Sequence, residues 1–317
     1  MSDSYEQEVV KLAKVVTPRV DPRTQASDIF DDWGSVFEGP HNWLDDVKPG
    51  ALIKMLYERK ILVFKKIKLD PFMFWRLSRR FGIPWKADQY GYSKEKCIPL
   101  VMPDGRTEYM SSISNKISAR LGDREMPWHA DIPNAVSYAF PHRAIYMRSC
   151  PNPQAGFTVW LNTPKAFKGV SDDLKCRWGM TRVVQQSWYE PGKDLQEFPS
   201  MTKHIITGEY CPRVNYYVDE TQNEGWIVDT KIGGKSQGTG IVAEMLEEMS
   251  KQPDCVYEHH WDETDLVIYD NFPFVHRRTA CELDDGQERL MWRMNIDHDP
   301  AARKLFEAVK IPVVSSK

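Results

Sequence analysis

Trp128-His129-Ala130-Asp131 is the stretch around which we interpret the chain, together with the downstream segment Asp270-Asn271-Phe272-Pro273-Phe274-Val275-His276. Side chains two residues apart on a strand point to the same side, so His129 and Asp131 are predicted to share a face. One more imidazole, from His276, would complete three ligands on one face of a metal ion. The sequence therefore predicts a metal site built from two distant segments.

A His-x-Asp pair is a weak signal by itself, because the chain contains two of them. The second pair, His260-x-Asp262, is followed by Glu263 and Thr264, where a polar turn is expected before the next predicted strand. The first pair is separated from His276 by enough chain for the two segments to lie side by side in a closed β structure. The first pair is therefore the better placed of the two, but spacing alone does not decide between His129 as a ligand and His129 as a core or surface histidine without a metal.

The composition of the 317-residue chain excludes several classes of protein. With 41% hydrophobic and 12% aromatic residues it can build a large core, and its net charge of −3 lacks the basic excess of a nucleic-acid binder. Its six cysteines are scattered without a CxxC pair, which is typical of reduced thiols in a cytoplasmic protein. The polar, acidic start is unlike a signal peptide, and no apolar run is long enough to cross a membrane. We expect neither a nucleic-acid nor a membrane partner, and a homo-oligomer is compatible with the sequence.

The periodicity of apolar residues predicts an N-terminal helix, strand and helix, followed by a strand-rich body. The first helix begins at Pro49, a buried strand follows over 61–64, and a second helix begins at Pro71 and stops at Gly82. Beyond Pro84, short apolar runs alternate with turn residues. The predicted strands there are 98–102, 108–112, 137–140, 144–149, 157–162, 213–218, 256–261, 265–269, 275–279 and 290–297, and the predicted helices are 164–170 and 241–250.

Many short strands without alternating helices favour a sandwich or jelly roll over a doubly wound sheet. We therefore predict a mostly β protein with flanking helices and a double-stranded β-helix core of the jelly-roll, cupin-like type. Residues 1–28 are predicted to be an extended lead-in. Residues 29–317 are predicted to form one domain with helical insertions.

Four segments in one order carry a family resemblance. Residues 49–82 end in Arg79-Arg80-Phe81-Gly82, and residues 128–131 hold the first His-x-Asp pair. Residues 156–160 read Gly-Phe-Thr-Val-Trp, and residues 265–279 are followed by Arg289 and Arg293. Together they resemble the TauD/TfdA family of iron(II)- and 2-oxoglutarate-dependent dioxygenases, with Phe157 in place of the family's usual acid. The resemblance covers residues 49–297.

The resemblance implies a chemistry and a set of ligands. Iron(II) would be held by His129, Asp131 and His276, which leaves coordination positions for 2-oxoglutarate and O2. By motif position, Thr158 and Arg289 would bind the far carboxylate of 2-oxoglutarate, which suits a hydroxyl and a planar bidentate cation. A hydrogen atom would be removed from a substrate C–H bond, with succinate and CO2 as co-products. Because related halogenases lack the carboxylate, Asp131 favours hydroxylation, desaturation or oxidative cyclisation.

The expected prime substrate is a small, anionic, carboxylate-bearing or amino-acid-like molecule of specialised metabolism. In the family position of Arg293, an arginine can meet an anionic substrate or support Arg289. Residues 113–127 are predicted to form a lid over the site, with Asn115 and Lys116 as substrate contacts, and a solvated loop is the alternative. The spacing from His276 to Arg289 is longer than is usual in the family, and we expect a turn at residues 284–286 to hold the extra length.

Two other functions remain open from the sequence. The same three ligands could bind zinc in a metal hydrolase, which would need a general base near the bound water. The chain could also be a jelly-roll binding protein without catalysis. Without the family resemblance, Thr158 reads as an ordinary strand threonine and Arg289 as a solvated arginine.

Overall fold

The computed structural model describes residues 22–86, 94, 97–116, 125–131, 141–185, 195–204, 206–214, 218–219, 224–225 and 227–297. In these ranges the strands, in chain order, are β1 (Gln25–Phe30), β2 (Trp33–Glu38), β3 (Ile61–Lys65), β4 (Ile83–Pro84), β5 (Cys97–Val101), β6 (Thr107–Ser114), β7 (Met126–His129), β8 (His142–Ser149), β9 (Thr158–Asn162), β10 (Thr181–Gln185), β11 (Gln196–Pro199), β12 (Met201–Lys203), β13 (Tyr210–Pro212), β14 (Val218–Asp219), β15 (Glu224–Gly225), β16 (Ile227–Ile232), β17 (Lys235–Ser236), β18 (Val256–His259), β19 (Leu266–Asp270), β20 (Phe274–Arg278) and β21 (Leu290–Asp297). The helices are α1 (Trp43–Asp46), α2 (Pro49–Arg59), α3 (Pro71–Ser78), α4 (Thr163–Gly169), α5 (Asp172–Gly179) and α6 (Gly240–Ser250), and a 3-10 turn spans Arg79–Phe81.

A large mixed sheet forms one layer of the molecule. Among the described strands its order is β1-β2-β3-β19-β8-β21-β6-β5, with β4 paired to β21. Strands β2 and β3 run parallel, whereas β3, β19, β8 and β21 pair antiparallel. The first four residues of β3, Ile61 to Phe64, are all buried, because this strand is covered on both faces.

A second sheet, with the order β18-β9-β20-β7 among the described strands, packs against the first. One apolar cluster joins the two layers: Ile145 and Val267 come from the large sheet, and Trp160 and Phe274 come from the small one. Two sheets that share a core in this way form a β-sandwich. The prediction of a mostly β, jelly-roll fold is confirmed.

Helices cover the outer faces of both layers. Phe74 of α3 packs in one cluster with Leu62 and Ile268 of the large sheet, and Met245 of α6 packs with Val275 of the small sheet. Helix α3 begins as predicted, because the Asp70 side chain accepts a hydrogen bond from the Met73 amide and proline occupies the first turn. No helix in the described ranges has the length and apolar character of a membrane span.

Most predicted elements correspond to observed ones within one or two residues, but one of the predicted strands is wrong. The strand predicted over 213–218 fails at its start, because β13 ends at Pro212 and the Arg213 amide bonds to the Ser200 carbonyl outside any ladder. The strand predicted over 137–140 lies outside the described residues, as do residues 1–21 of the predicted lead-in. The last residues of that lead-in, 25–28, belong to the exposed edge strand β1. The sequence also gave no signal for α5, β10 or β16.

Among the glycines of the described ranges, Gly82 has the least room for a side chain. Its φ is +144°, and a Cβ there would lie 2.1 Å from the Asp297 carbonyl oxygen at the end of β21. We expect Gly82→Ala to lower the free energy of unfolding by roughly 2–5 kcal/mol, since it adds backbone strain to a backbone clash. Gly105→Ala is the matched control, because Gly105 also has a positive φ, of +82°, but open space around it. Urea unfolding that shows equal losses for the two variants would contradict this assignment.

Candidate active site

The structure brings His129, Asp131 and His276 together. Their ligand atoms all lie within 4.8 Å of one another, and the two imidazole rings have centroids 4.2 Å apart. His129 and His276 are direct cross-strand partners on β7 and β20, which is why two residues so distant in sequence meet. Two imidazoles and one carboxylate in this arrangement match the donor set that binds iron(II) on one face.

The nitrogen atoms of the two imidazoles leave positions for a metal ion. The Nδ1 of His129 lies 2.8 Å from the Pro127 carbonyl oxygen. Because a carbonyl only accepts, Nδ1 carries the proton and Nε2 keeps its lone pair for a metal. The Nδ1 of His276 is buried and has no hydrogen-bond partner among the described residues. A buried ring nitrogen that the described chain leaves without a partner fits a site where the ligand comes from outside the chain, as a metal ion does.

Asp131 reaches the site by a different route from the one predicted. The prediction placed it on the same strand as His129, but β7 ends at His129 and Asp131 lies beyond it in a bend. Its carboxylate instead accepts hydrogen bonds from Arg143 Nε at 3.0 Å and from the Tyr269 hydroxyl at 3.3 Å. Its backbone carbonyl accepts from Asn271 Nδ2 at 2.9 Å. Arg143 on β8 and Tyr269 on β19 therefore hold the carboxylate, and Asn271, just beyond β19, holds the backbone carbonyl. Strand alternation does not place this side chain.

The charges around the three residues favour the metal-binding protonation states. Burial opposes ionisation of Asp131, but Arg143, the imidazoles and Arg293 outweigh it and hold the pKa of the carboxyl well below its usual range. Burial together with the neighbouring His129 lowers the pKa of His276 to about 3, and burial lowers the pKa of His129. At neutral pH the cluster therefore contains one anion and two neutral rings, as a divalent cation requires.

Arg289 is a buried cation that fits an anionic ligand. It is 4% exposed, its Nη2 donates to the Gly156 carbonyl at 2.8 Å, and its buried Nε has no hydrogen-bond partner among the described residues. No ion pair within the described part of the chain involves this guanidinium. Leaving a buried charge uncompensated is costly, so a carboxylate from a ligand would stabilise it. The buried guanidinium of Arg289 therefore fits a carboxylate of 2-oxoglutarate.

The segment leading to Arg289 carries the predicted turn. The Gln287 amide donates to the Asp284 carbonyl at 3.0 Å, and Gly286 has a φ of +86°. Arg289 and Arg293 do not belong to one regular strand, since β21 begins only at Leu290 and its register against β8 shifts between Leu290 and Met291. Thr158 begins β9, two residues after Gly156, and is 7% exposed.

The remaining predicted contacts lie near these elements. Arg293 Nε donates to the Ser111 hydroxyl at 3.4 Å. Asn115 accepts from the Arg289 amide at 2.9 Å, and the exposed Lys116 donates to the Gly286 carbonyl at 2.7 Å. Both side chains thus hold the turn before Arg289, and their predicted substrate contacts stay predictions. Residues 117–124, most of the predicted lid, lie outside the described residues.

The second His-x-Asp pair is not part of the cluster. His260 has a side chain that is 56% exposed, and its Nε2 lies 2.9 Å from Glu258. Asp262 pairs with Lys65 at 2.9 Å. Both side chains engage surface partners, whereas His129 and Asp131 meet His276.

Sequence reasoning missed the residues that support the cluster. Arg143 stands directly before a predicted apolar strand, where it reads as the boundary of that strand. Tyr269 reads as one more buried strand residue, and Asn271 as a turn residue. The signal that could have identified Arg143 is its position directly before a strongly apolar run. An arginine drawn into the core with that run needs a carboxylate partner.

A jelly roll that gathers two imidazoles from adjacent, paired strands and a carboxylate from the bend after one of them is the architecture of non-haem iron(II) oxygenases. Solved structures share the fold. A taurine dioxygenase from Burkholderia xenovorans superposes with a TM-score of 0.61 at 19% identity, over 88% of this chain and 92% of that one. The structure of AAD-2 in complex with Mn(II) and N-oxalylglycine gives a TM-score of 0.58 at 15% identity, over 87% and 97% of the two chains.

The sequence comparison assigns the chain to a family within this class of enzymes. Residues 20–295 match the profile described as "Taurine catabolism dioxygenase TauD, TfdA family", so the chain belongs to the TauD/TfdA family. It is a non-haem dioxygenase that depends on iron(II), 2-oxoglutarate and O2. A curated relative, the (S)-phenoxypropionate/alpha-ketoglutarate-dioxygenase of Sphingobium herbicidovorans, is 24% identical over 275 residues, which is 82% of this chain and 89% of the relative. These comparisons favour neither a zinc hydrolase nor a non-catalytic binding protein.

Proposed function

We propose that His129, Asp131 and His276 hold the catalytic iron(II) of this dioxygenase. The observation that carries the proposal is the convergence of their ligand atoms within 4.8 Å of one another in a buried cluster. Bound iron(II), with 2-oxoglutarate and O2, supplies the oxidising power that removes a hydrogen atom from a substrate C–H bond. The protein's part is to fix the donors: Pro127 orients the His129 ring, and Arg143 orients the Asp131 carboxylate.

Arg289 and Thr158 are proposed to bind the far carboxylate of 2-oxoglutarate. The support is the buried guanidinium whose Nε has no hydrogen-bond partner within the described ranges, next to the Gly156 carbonyl at the start of the Thr158 segment. A guanidinium offers several donors in one plane and a hydroxyl offers one more, which suits a carboxylate held at a distance from the metal.

The prime substrate is proposed to be a small anionic metabolite, either a carboxylate or an amino-acid-like compound. Positive charge surrounds the metal ligands, since Arg278 and Arg293 act on His129, and Arg143 and Arg293 act on His276. Such a field attracts anionic ligands. The curated relative from Sphingobium herbicidovorans has a carboxylate, (S)-phenoxypropionate, in its name. Hydroxylation, desaturation and oxidative cyclisation all begin with the same hydrogen abstraction and remain proposed outcomes.

A cytoplasmic location, a homo-oligomeric state and one domain over residues 29–317 also stay predictions. The location is supported by six cysteines that form no disulfide. A role in specialised metabolism depends on the substrate and is tested with it.

The proposal is tested in two steps on the whole protein. Iron(II) and 2-oxoglutarate added without oxygen should give a weak visible metal-to-ligand absorption band. Admission of air with a panel of small carboxylates should then give succinate formation that the true substrate stimulates. If neither a band nor succinate appears, the oxygenase function is wrong; the ligand residues themselves are tested by substitution.

Arg293→Met tests the anionic substrate. We expect the KM of the carboxylate substrate to rise about tenfold or more, because a charge-assisted contact is lost, while the affinity for 2-oxoglutarate changes little. The preference for the carboxylate over its neutral methyl ester should fall by a similar factor. Arg148→Met, which removes an exposed arginine of β8, is the control. An unchanged KM would remove Arg293 from the substrate site.

A further inference from the structure

Trp261 stands in the middle of the second His-x-Asp pair and points away from its neighbours. His260 and Asp262 engage surface partners, whereas Trp261 is 1% exposed. Burial alternates along this segment, since His259 and Trp261 are buried whereas His260 and Asp262 are exposed, so Trp261 faces the interior. The second His-x-Asp pair, which is not part of the metal site, therefore places the indole ring of Trp261 in the interior.

The indole of Trp261 donates a hydrogen bond to the residue proposed to bind 2-oxoglutarate. Its Nε1 lies 2.9 Å from Thr158 Oγ1, and both side chains are buried. An indole N–H can only donate, so the Thr158 oxygen must accept from it. A hydroxyl has one proton, and this contact directs the Thr158 proton away from Trp261. Thr158 is thereby prepared as a donor to a second partner.

The indole is itself held firmly. The ring makes an edge-to-face contact with His259, with centroids 4.4 Å apart. The backbone carbonyl of Trp261 accepts a hydrogen bond from Cys150 Sγ at 3.3 Å. His259 is fixed by the Tyr257 hydroxyl at 2.8 Å and lies 3.3 Å from an oxygen of Asp265. Side chains locked by packing and hydrogen bonds can hold a ligand contact in one geometry.

We propose that Trp261 is a positioning residue that sets the Thr158 hydroxyl as a hydrogen-bond donor to the far carboxylate of 2-oxoglutarate. The inference rests on the proposed role of Thr158 and extends it to co-substrate selectivity. With Arg289, which also only donates, Trp261 makes this end of the pocket a set of donors. Such a set accepts a terminal carboxylate and rejects 2-oxo acids that lack one, because their binding leaves buried donors unpaired.

Trp261→Phe tests the inference, since it keeps an aromatic ring and removes the N–H. Anaerobic titration of the iron(II)-loaded protein, followed by the metal-to-ligand band, should show about fivefold to tenfold weaker binding of 2-oxoglutarate. Binding of 2-oxobutyrate, which has no terminal carboxylate, should change less than about twofold. Trp33→Phe is the matched control, because Trp33 belongs to the same apolar cluster and also donates one indole hydrogen bond, to the Asp254 carbonyl. It should leave both affinities unchanged.

A double-mutant cycle separates this inference from the function on which it rests. In a Thr158→Val background, Trp261→Phe should weaken 2-oxoglutarate binding no further. If Thr158→Val alone leaves the affinity unchanged, the proposed role of Thr158 is wrong. If Thr158→Val weakens binding but Trp261→Phe does not, or if Trp261→Phe acts equally in both backgrounds or on both 2-oxo acids, only the role of Trp261 is wrong.

A measurement on the unaltered protein covers the case in which Trp261→Phe does not fold. The assigned indole N–H resonance of Trp261 should shift when 2-oxoglutarate binds to the protein loaded with zinc, a diamagnetic substitute for iron. It should shift much less with 2-oxobutyrate, which leaves Thr158 without its carboxylate partner. Equal shifts for the two ligands would overturn the proposal.

Discussion

His129→Ala is expected to abolish iron(II) binding, whereas His260→Ala is expected to retain it. His129 is buried, is aligned with His276 across two strands, and offers Nε2 because its Nδ1 is bonded to the Pro127 carbonyl. Loss of a residue that only hydrogen-bonds to a metal ligand costs about 10- to 100-fold in metal affinity, so removal of one of the three protein ligands should cost more. Anaerobic calorimetric titration with iron(II), and metal content after gel filtration, measure the loss.

His260→Ala is a matched control for that experiment. It removes the same side chain from the other His-x-Asp pair, and His260 is exposed and bonded to Glu258. Both variants should remain folded by circular dichroism, since neither change breaks a strand pairing. Loss of iron in His260→Ala with retention in His129→Ala would mean that the two His-x-Asp pairs had been assigned the wrong way round.

The sequence was sufficient to predict the order of the motifs and the elements that carry them. His276 lies within a strand predicted from its apolar neighbours, and β20 is that strand within one residue. Strand β21, at Leu290–Asp297, matches its predicted bounds. These predictions succeed because an apolar run buried on both faces is visible in the local sequence.

What the sequence could not predict depends on tertiary contacts. Helix α5, Asp172–Gly179, buries only Trp178 in its interior, so it has no apolar stripe to detect. Strand β10 lies between β11 and β16, and its partner β16 is a segment far along the chain. The position of Asp131 depends on Arg143 and Tyr269, and no local pattern connects a bend after one strand to side chains on two others.

The candidate site shows the same division between local and tertiary information. Residue types at motif positions predicted that Thr158 and Arg289 bind 2-oxoglutarate. The hydrogen bonding of Thr158 and the burial of Arg289 depend on tertiary contacts. Nothing local to Thr158 indicates that Trp261 donates to its hydroxyl, since a strand threonine is an ordinary residue. Nothing local to Arg289 indicates that it is 4% exposed, and this burial is what links its charge to a ligand.

Arg289→Met is expected to weaken 2-oxoglutarate binding at least about 30-fold, since truncating one partner of a buried charge pair costs about 2–5 kcal/mol. Arg289→Lys, which keeps the charge but loses the planar fork, should fall between Met and the native residue. The readout is the anaerobic titration of the metal-to-ligand band, with 2-oxobutyrate as a ligand that does not reach Arg289.

The same substitution should act in the opposite direction on the ligand-free protein. Burial lowers the pKa of Arg289, which reflects the cost of holding its charge without a carboxylate among the described residues. Replacing the guanidinium with a methionine of similar length removes that cost, so Arg289→Met without co-substrate should be at least as stable to heat as the native protein. The stabilisation by 2-oxoglutarate should largely disappear, because ligand-induced stability follows affinity. If Arg289→Met keeps its affinity while Arg293→Met loses it, the carboxylate is bound by Arg293, and the buried charge of Arg289 has a structural role instead.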